Sequence, residues 1–97
     1  MGVAQDAALA ASWYAKAAAQ GSAQAQFNLG VCYERGEGIA PDAAIAAAWY
    51  AKAAAQGYAR AQFNLGFCYQ RGFGVARDAT LAASWIAKAA TQDLQTS

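Results

Sequence analysis

The nine residues Trp13–Gly21 read WYAKAAAQG, and the same nine residues return unchanged at Trp49–Gly57. A third version, WIAKAATQD, occupies Trp85–Asp93. Shifting the chain over itself by 36 residues pairs 3–38 with 39–74, and 27 of the 36 pairs are identical. A repeat of this length is typical of a solenoid, in which each unit buries its apolar face only against its neighbours.

Composition narrows the classes of protein to which the chain can belong. Charged residues are only 13% of the 97 residues, apolar residues are 58%, and the formal net charge is +1 without any basic run. We therefore expect no nucleic acid partner. The longest uncharged apolar run, residues 43–51, is well short of the ~20 residues that cross a bilayer, so no membrane insertion is expected.

The N-terminus has no positively charged segment ahead of its apolar residues, so no signal peptide is visible. The chain as written is expected in the cytoplasm. If it is a fragment of a longer precursor, a periplasmic or secreted location is expected instead.

Each repeat is predicted to hold two helices, of which we call the first helix B. It contains no internal glycine or proline in its alanine-rich sequence, which favours a helix. We place Pro41 in the first turn of its second copy and expect Gly21 and Gly57 to end the first two copies in the left-handed conformation. The three predicted spans are Asp6 to Gln20, Asp42 to Gln56 and Asp78 to Gln92.

The second helix of each unit, helix A, is predicted from Ser22 to Arg35 and from Tyr58 to Arg71. Turns rich in glycine end it at residues 36–38 and 72–74. The predicted fold is all-α, an α/α superhelical solenoid with the helix order B-A-B-A-B. It forms one domain over residues 1–97, with a partial repeat at 1–21, repeats at 22–57 and 58–93, and a tail at 94–97.

Helix A carries a glycine in its interior at Gly30 and Gly66, each costing about 1 kcal/mol relative to alanine. Such a glycine lets a neighbouring helix come close, and we expect Trp13 and Trp49 of helix B to fill that space. The buried stripe of helix A is predicted at Ala25, Leu29, Cys32 and Tyr33, and that of helix B at Asp6, Ala10, Trp13 and Ala17.

The nine differences between the first two copies indicate which faces are free to vary. Three of those in helix A, at positions 24, 31 and 34, lie within an arc of roughly 80° of a helix. We expect this arc to face solvent or a partner. The differences at Gln5, Leu9 and Ser12 define a second arc, which we interpret as the outer, convex surface.

Two adjoining stretches resemble a known repeat: LGxxYxxGxGIxxD at residues 29–42, and AxxWYxKAAxxG at residues 46–57. This pattern is similar to the Sel-one-like repeat (SLR), a relative of the tetratricopeptide repeat. The resemblance implies an α/α solenoid with helix A lining a concave surface, in a family of adaptors that assemble other proteins. By the tetratricopeptide analogy the concave surface comprises Gln24, Phe27, Asn28, Val31, Glu34, Arg60, Phe63, Asn64, Phe67 and Gln70.

Catalytic chemistry is not expected. Histidine is absent, which removes the commonest general base and zinc ligand. Cys32 and Cys68 are expected to be free, buried thiols, since equivalent helices lie too far apart for a disulfide. Some cysteine-rich SLR proteins have been discussed as β-lactamases, but the spacing from Ser12 to Lys16 is one residue too long for Ser-x-x-Lys and no Lys-Thr-Gly follows. We predict no enzyme, cofactor or metal site.

The function that these residues favour is a non-enzymatic scaffold that binds a peptide or another protein on the helix A surface. Phe67 and Phe73 are new in the second copy and indicate an apolar patch, with Arg60 and Arg71 near it. The alternative is a self-assembling structural repeat, a homo-oligomer joined through its exposed terminal helices without an external ligand. A fragment of a longer array and a designed or recently duplicated product remain open as origins of the chain.

Overall fold

The computed structural model describes residues 3–96, and it describes side chains from residue 6 to residue 92. This part of the chain contains five α-helices and no strand. The helices are α1 Val3–Ala19, α2 Ala23–Arg35, α3 Ala43–Ala55, α4 Ala59–Arg71 and α5 Ala79–Thr96. Helices α1, α3 and α5 are the predicted B helices, and α2 and α4 are the predicted A helices, so the all-α fold is confirmed.

Each helix packs against the helices before and after it in the chain. The result is an elongated stack measuring 43 × 29 × 21 Å along its principal axes. Across residues 3–96, none of the helices combines the length and apolar character that crossing a bilayer demands.

Capping residues account for most of the helix boundaries. The Ser22 hydroxyl accepts a hydrogen bond from the Ala25 amide at 3.1 Å, and the Asp42 carboxylate accepts one from the Ile45 amide at 3.0 Å. Gly21 and Gly57 have positive φ values of 99° and 90°, as predicted. Pro41 was misplaced by the sequence prediction, because it precedes the cap at Asp42 and so lies outside the helix.

Two helix ends also differ from prediction. Helix α1 begins at Val3, three residues before Asp6. Helix α5 continues through Thr96, beyond the predicted end at Gln92. Asp93 stands where the first two copies have glycine, so the third copy lacks the residue that adopts the left-handed conformation most readily, and the helix is not interrupted there.

Alanines on two adjacent rows of each B helix hold the stack together. The middle helix, α3, buries both rows, and the outer helices each bury one, because each packs against a single A helix. The row facing the following A helix is Ala11 and Ala18 in α1 and Ala47 and Ala54 in α3; the row facing the preceding one is Ala46 and Ala53 in α3 and Ala82 and Ala89 in α5. Because methyl side chains are small, the helix backbones approach closely.

The helix A glycines are spaces for a neighbouring side chain, but the prediction that tryptophan fills them was wrong. A Cβ placed on Gly30 would lie 2.6 Å from Cε1 of Tyr50, and one placed on Gly66 would lie 2.6 Å from Cγ1 of Ile86. Tyr50 is fully buried, with 0% of its surface exposed. The residue that fills the space is therefore the one directly after the tryptophan.

The predicted buried stripe of helix B was wrong for the same reason, since it was centred one residue too early. Asp6 is exposed, and Trp13 is 61% exposed. One residue corresponds to a rotation of about 100° around a helix. Trp49 and Trp85 are half-buried. Trp49 packs against a cluster formed by α1 and α2, and Trp85 packs against a cluster formed by α3 and α4. All three tryptophans hold a lysine ammonium over the ring at 5.0 to 5.1 Å, namely Lys16, Lys52 and Lys88.

Glutamine side chains bond the two helices of a unit to each other and also join one unit to the next. The Gln26 side-chain amide donates to the Ala18 carbonyl at 3.2 Å, and Gln62 repeats this bond to Ala54. The Gln56 amide, from the second unit, donates to the Gly21 carbonyl and to the Gln26 side-chain oxygen, both at 2.9 Å. The bonds from Gln26 and Gln62 satisfy buried polar groups that would be costly if left unpaired, whereas Oε1 of Gln62 is buried without a hydrogen-bond partner.

We expect Gly30→Ala to destabilise the fold, although alanine is the better helix former. The added methyl meets the ring of Tyr50, which is buried on every side, and overpacking of this kind costs about 1 to 3 kcal/mol. Urea unfolding followed by circular dichroism measures the change. Gly66→Ala is the matched variant and should cost less, since the half-buried Ile86 side chain has other rotamers available. A Gly30→Ala protein as stable as the parent would contradict this account of the packing.

Candidate partner-binding surface

A hollow of about 240 Å³ opens on the surface formed by the two A helices. Its wall includes one residue of α2, four residues of α4 and one residue of the turn that follows α4. These are Glu34, Asn64, Phe67, Cys68, Arg71 and Phe73. Four of the six were predicted as partner-binding residues from the sequence, and the hollow brings residues of both units together.

The aromatic part of the hollow is partly open to solvent. Phe67 is 42% exposed, which is unusual for a phenylalanine, and Phe73 is half-buried. The guanidinium of Arg71 lies over the Phe67 ring at 6.0 Å from the ring centre, at the outer limit of a cation–π contact. The hollow therefore offers an apolar surface with a positive charge directly beside it.

Glu34, the residue that α2 contributes to the hollow, carries a negative group that is held in place. The Tyr50 hydroxyl donates a hydrogen bond of 2.5 Å to the Glu34 carboxylate. Burial raises the pKa of Tyr50, and its hydrogen bond to Glu34 raises that pKa further. The hydroxyl therefore keeps its proton at neutral pH and remains a donor to Glu34.

Cys68 forms part of the wall and is only 4% exposed. Burial raises the pKa of its thiol to about 11, with a smaller contribution from the nearby Glu34 carboxylate that Arg71 partly opposes. Burial also raises the pKa of Cys32, and Glu37 adds to it. Both cysteines are free and neutral at physiological pH, as predicted. Neutral thiols are poor nucleophiles, so this geometry supports packing rather than chemistry.

The remaining predicted surface residues are spread over several environments. Phe27 stacks at 5.8 Å from the Tyr50 ring and 5.4 Å from the Tyr58 ring, so it contributes to packing between the helices. Gln70 lines a separate groove against α5, beside Ile86. Gln24 and Arg60 are exposed, whereas Asn28, Val31 and Phe63 are half-buried.

Arg71 and Cys68 belong to the hollow but were not among the predicted partner-binding residues. Arg71 was noted only as a neighbour of the phenylalanines, because Arg35 and Arg71 are identical and so lie outside the positions that differ between the copies. A helical wheel at about 100° per residue places Arg71 beside the varying arc of Arg60, Phe67 and Gln70, whereas Cys68 lies about 80° beyond the edge of that arc. No group of three or more side chains suited to metal binding occurs in the described residues.

The sequence model of the Sel1 repeat family matches the chain three times, at residues 1–22, 23–58 and 59–94. The chain belongs to the Sel1 repeat family. Proteins with Sel1 repeats generally mediate protein–protein interactions, and this scaffold is generally non-enzymatic.

Solved structures of Sel1 repeat proteins share the arrangement of helices. A protective antigen of uropathogenic Escherichia coli with an SLR fold is 46% identical over 88% of this chain, with a TM-score of 0.86. A Sel1 repeat protein from Oxalobacter formigenes is 48% identical over 84% of the chain, with a TM-score of 0.83. Cysteine-rich protein B of Helicobacter pylori is 27% identical over 84%, with a TM-score of 0.80.

The chain spans only part of each of these relatives, namely 18% of the first, 63% of the second and 61% of the third. The search of curated proteins finds no match.

We expect the thiols to be protected in the folded protein. Alkylation by iodoacetamide at pH 8 should be at least about a hundredfold slower for Cys68 than for an unfolded thiol, because so little thiolate is present. Mass spectrometry of the modified protein, with and without denaturant, measures the two rates. Rapid labelling of the native protein at Cys68 would show that the thiol is not buried.

The same raised pKa predicts a fall in stability at alkaline pH. The unfolded chain releases the Cys68 proton near pH 9.0, whereas the folded chain holds it to about pH 11. The contribution of Cys68 to stability is therefore complete below pH 9 and is lost as pH rises from about 9 to about 11. Urea unfolding over this range should show the loss, and Cys68→Ala should reduce it. An unchanged slope in that variant would assign the effect to other groups.

Proposed function

We propose that this chain is a non-enzymatic binding module that takes a peptide or a segment of a folded protein on the concave surface of its A helices. The observation that carries the proposal is the partly exposed Phe67 at the edge of a hollow shared by two units. The general role of Sel1 repeats in protein–protein interaction supports it.

The chemistry of the hollow suits a partner side chain better than a reaction. Protein interfaces depend on a few aromatic anchors and arginines surrounded by weaker contacts. Phe67 and Phe73 offer the aromatic surface, and Arg71 and Glu34 offer charges that orient a polar segment. The neutral, buried Cys68 and the lack of histidine leave no activated nucleophile in the hollow.

The affinity of a partner would come mainly from the apolar contact. Burying an apolar side chain contributes about 1.5 to 3 kcal/mol, which corresponds to roughly 10- to 150-fold in affinity. A single anchor in a hollow of this size therefore predicts weak binding for one short peptide, with a larger segment needed for tight binding.

Phe67→Ala is expected to weaken peptide binding at least about tenfold while leaving the helical content and unfolding midpoint nearly unchanged. Peptides would be selected from a random display library on the parent protein, and their dissociation constants measured by fluorescence anisotropy. Leu81 on α5 is 40% exposed, close to the exposure of Phe67, and lies outside the hollow, so Leu81→Ala is the matched control. Selected peptides that bind Phe67→Ala as well as the parent would overturn the proposal. Unfolding of that variant would assign Phe67 to the core.

A second candidate function is self-assembly, and one observation favours it. Leu9 is 59% exposed and Trp13 is 61% exposed, and the two lie one helical turn apart on α1. In the second and third units the corresponding tryptophans are half-buried against clusters formed by the two preceding helices, whereas Trp13 of the first unit leaves the same ring surface exposed. Apolar patches of this kind mark surfaces at which proteins associate.

Self-assembly predicts that the apparent mass rises with concentration and that Trp13→Gln reduces the rise. Light scattering over a concentration series measures both. Trp49→Gln is not a suitable control because Trp49 packs against the core, so Phe67→Ala, which leaves α1 unchanged, serves instead. A constant monomer mass at all concentrations would leave the binding module as the better account.

A further inference from the structure

Both A helices end in an arginine, but the charged groups around the two arginines differ. In the first unit, the Arg35 guanidinium lies 3.8 Å from the carboxylate of Glu37, two residues later in the turn. In the second unit the equivalent arginine is Arg71, and the residue at the place of Glu37 is Phe73. Among the side chains that the structure describes, Arg71 has no carboxylate within ion-pair distance. Within the described residues, the second unit therefore has no carboxylate that pairs with its arginine.

Other differences between the copies change the charge in the same direction. Residues 22–38 carry Glu34, Arg35 and Glu37, which sum to −1, whereas residues 58–74 carry Arg60 and Arg71, which sum to +2. The exchanges Glu34 to Gln70 and Glu37 to Phe73 each remove a carboxylate. The second helix A surface is therefore positive, where the first is slightly negative.

The exchange that removes this carboxylate also adds an aromatic residue to the hollow, and a second exchange adds another. Phe73 replaces Glu37 and lines the hollow, and Phe67 replaces Val31 and lies under the Arg71 guanidinium. An unpaired guanidinium beside an open aromatic surface is suited to a group that combines a carboxylate with an apolar side chain, since arginine binds carboxylates with two parallel hydrogen bonds.

We propose that the hollow captures an acidic peptide segment in which a glutamate or aspartate side chain pairs with Arg71 while a neighbouring apolar side chain packs against Phe67 and Phe73. This inference rests on the proposed function and names the chemistry of the partner. The captured carboxylate takes the role that Glu37 has in the first unit. A side-chain carboxylate is favoured over a chain terminus because the internal example, Glu37, is itself a side chain within a continuous backbone.

The residue that α2 contributes to the hollow, Glu34, defines the orientation of the segment. The Glu34 carboxylate, held by Tyr50, repels a second carboxylate, so the acidic group of the partner is directed toward Arg71. The apolar side chain of the partner then lies over the phenylalanines. A segment with its acidic and apolar residues in the opposite order would place its carboxylate beside Glu34 and leave Arg71 unpaired.

The test uses short peptides that are acetylated at the N-terminus and amidated at the C-terminus, so that they carry no terminal charge. One contains leucine followed by glutamate, a second contains leucine followed by glutamine, and a third is the glutamine peptide with a free terminal carboxylate. Each is titrated into the full chain labelled with ¹⁵N, and the amide shifts of Phe67 and Phe73 report binding. We expect the glutamate peptide to bind roughly tenfold more tightly than the capped glutamine peptide.

Three variants locate the carboxylate. Arg71→Gln should abolish the preference for glutamate, whereas the matched variant Arg35→Gln should keep it. Phe73→Glu places in the second unit the residue that the first unit has, so it should fold, pair with Arg71 and lose the preference for the glutamate peptide over the capped glutamine peptide. Circular dichroism checks the fold of each variant. If Arg71→Gln does not fold, the loss of that preference in Phe73→Glu decides the question.

The outcomes separate this inference from the proposed function. Equal shifts with the glutamate and capped glutamine peptides would overturn the role of the carboxylate and leave apolar binding intact. A response only to the free terminal carboxylate would overturn the side-chain assignment. The absence of any shift at Phe67 and Phe73 with all three peptides would contradict this inference, while peptides selected by display that lose affinity in Phe67→Ala would still support the proposed function.

Discussion

The contact between Tyr50 and Gly30 is the constraint on which the rest of the stack depends. The glycine has no side chain, so the tyrosine ring of the following B helix lies against the A helix backbone. This close approach buries Tyr50 completely and brings its hydroxyl to the Glu34 carboxylate. One contact therefore joins helix packing to the wall of the binding hollow, because the same side chain that fills the core holds a charged group at the surface.

The residues that are identical in the two copies and the residues that differ have separate physical roles. Buried alanines, glycines and glutamines that recur at the 36-residue period make contacts between helices, and a change in one of them would disturb the helix packed against it. The positions that differ include 31, 34 and 37, which lie at or beside the surface of helix A. Two nearly identical units can therefore have one scaffold and two different surfaces.

Much of the fold could be predicted from the sequence, because glycine and capping residues mark helix ends by local backbone chemistry. The boundaries of α2 and α4 were predicted to within a residue. The buried face of helix B was not predicted correctly, since Trp49 and Tyr50 are adjacent and either aromatic ring could fill the space at Gly30. That choice depends on how two helices cross, which a periodic pattern of alanines does not specify. In the hollow, Phe67 was found from the differences between copies, whereas Arg71 was missed because it is identical in both.

Arg71 illustrates why identity between repeats is a poor guide to which residues bind. Arg35 and Arg71 are the same residue at the same position, but only one of them has an internal carboxylate. The difference in their availability comes from a neighbour, Phe73, and the hollow beside Arg71 also includes Glu34 of the preceding unit. A site between units is thus defined by combinations of positions on two consecutive A helices. In a solenoid of near-identical units, a few exchanges around an unchanged arginine are enough to turn an internal ion pair into a surface that recognises an external one.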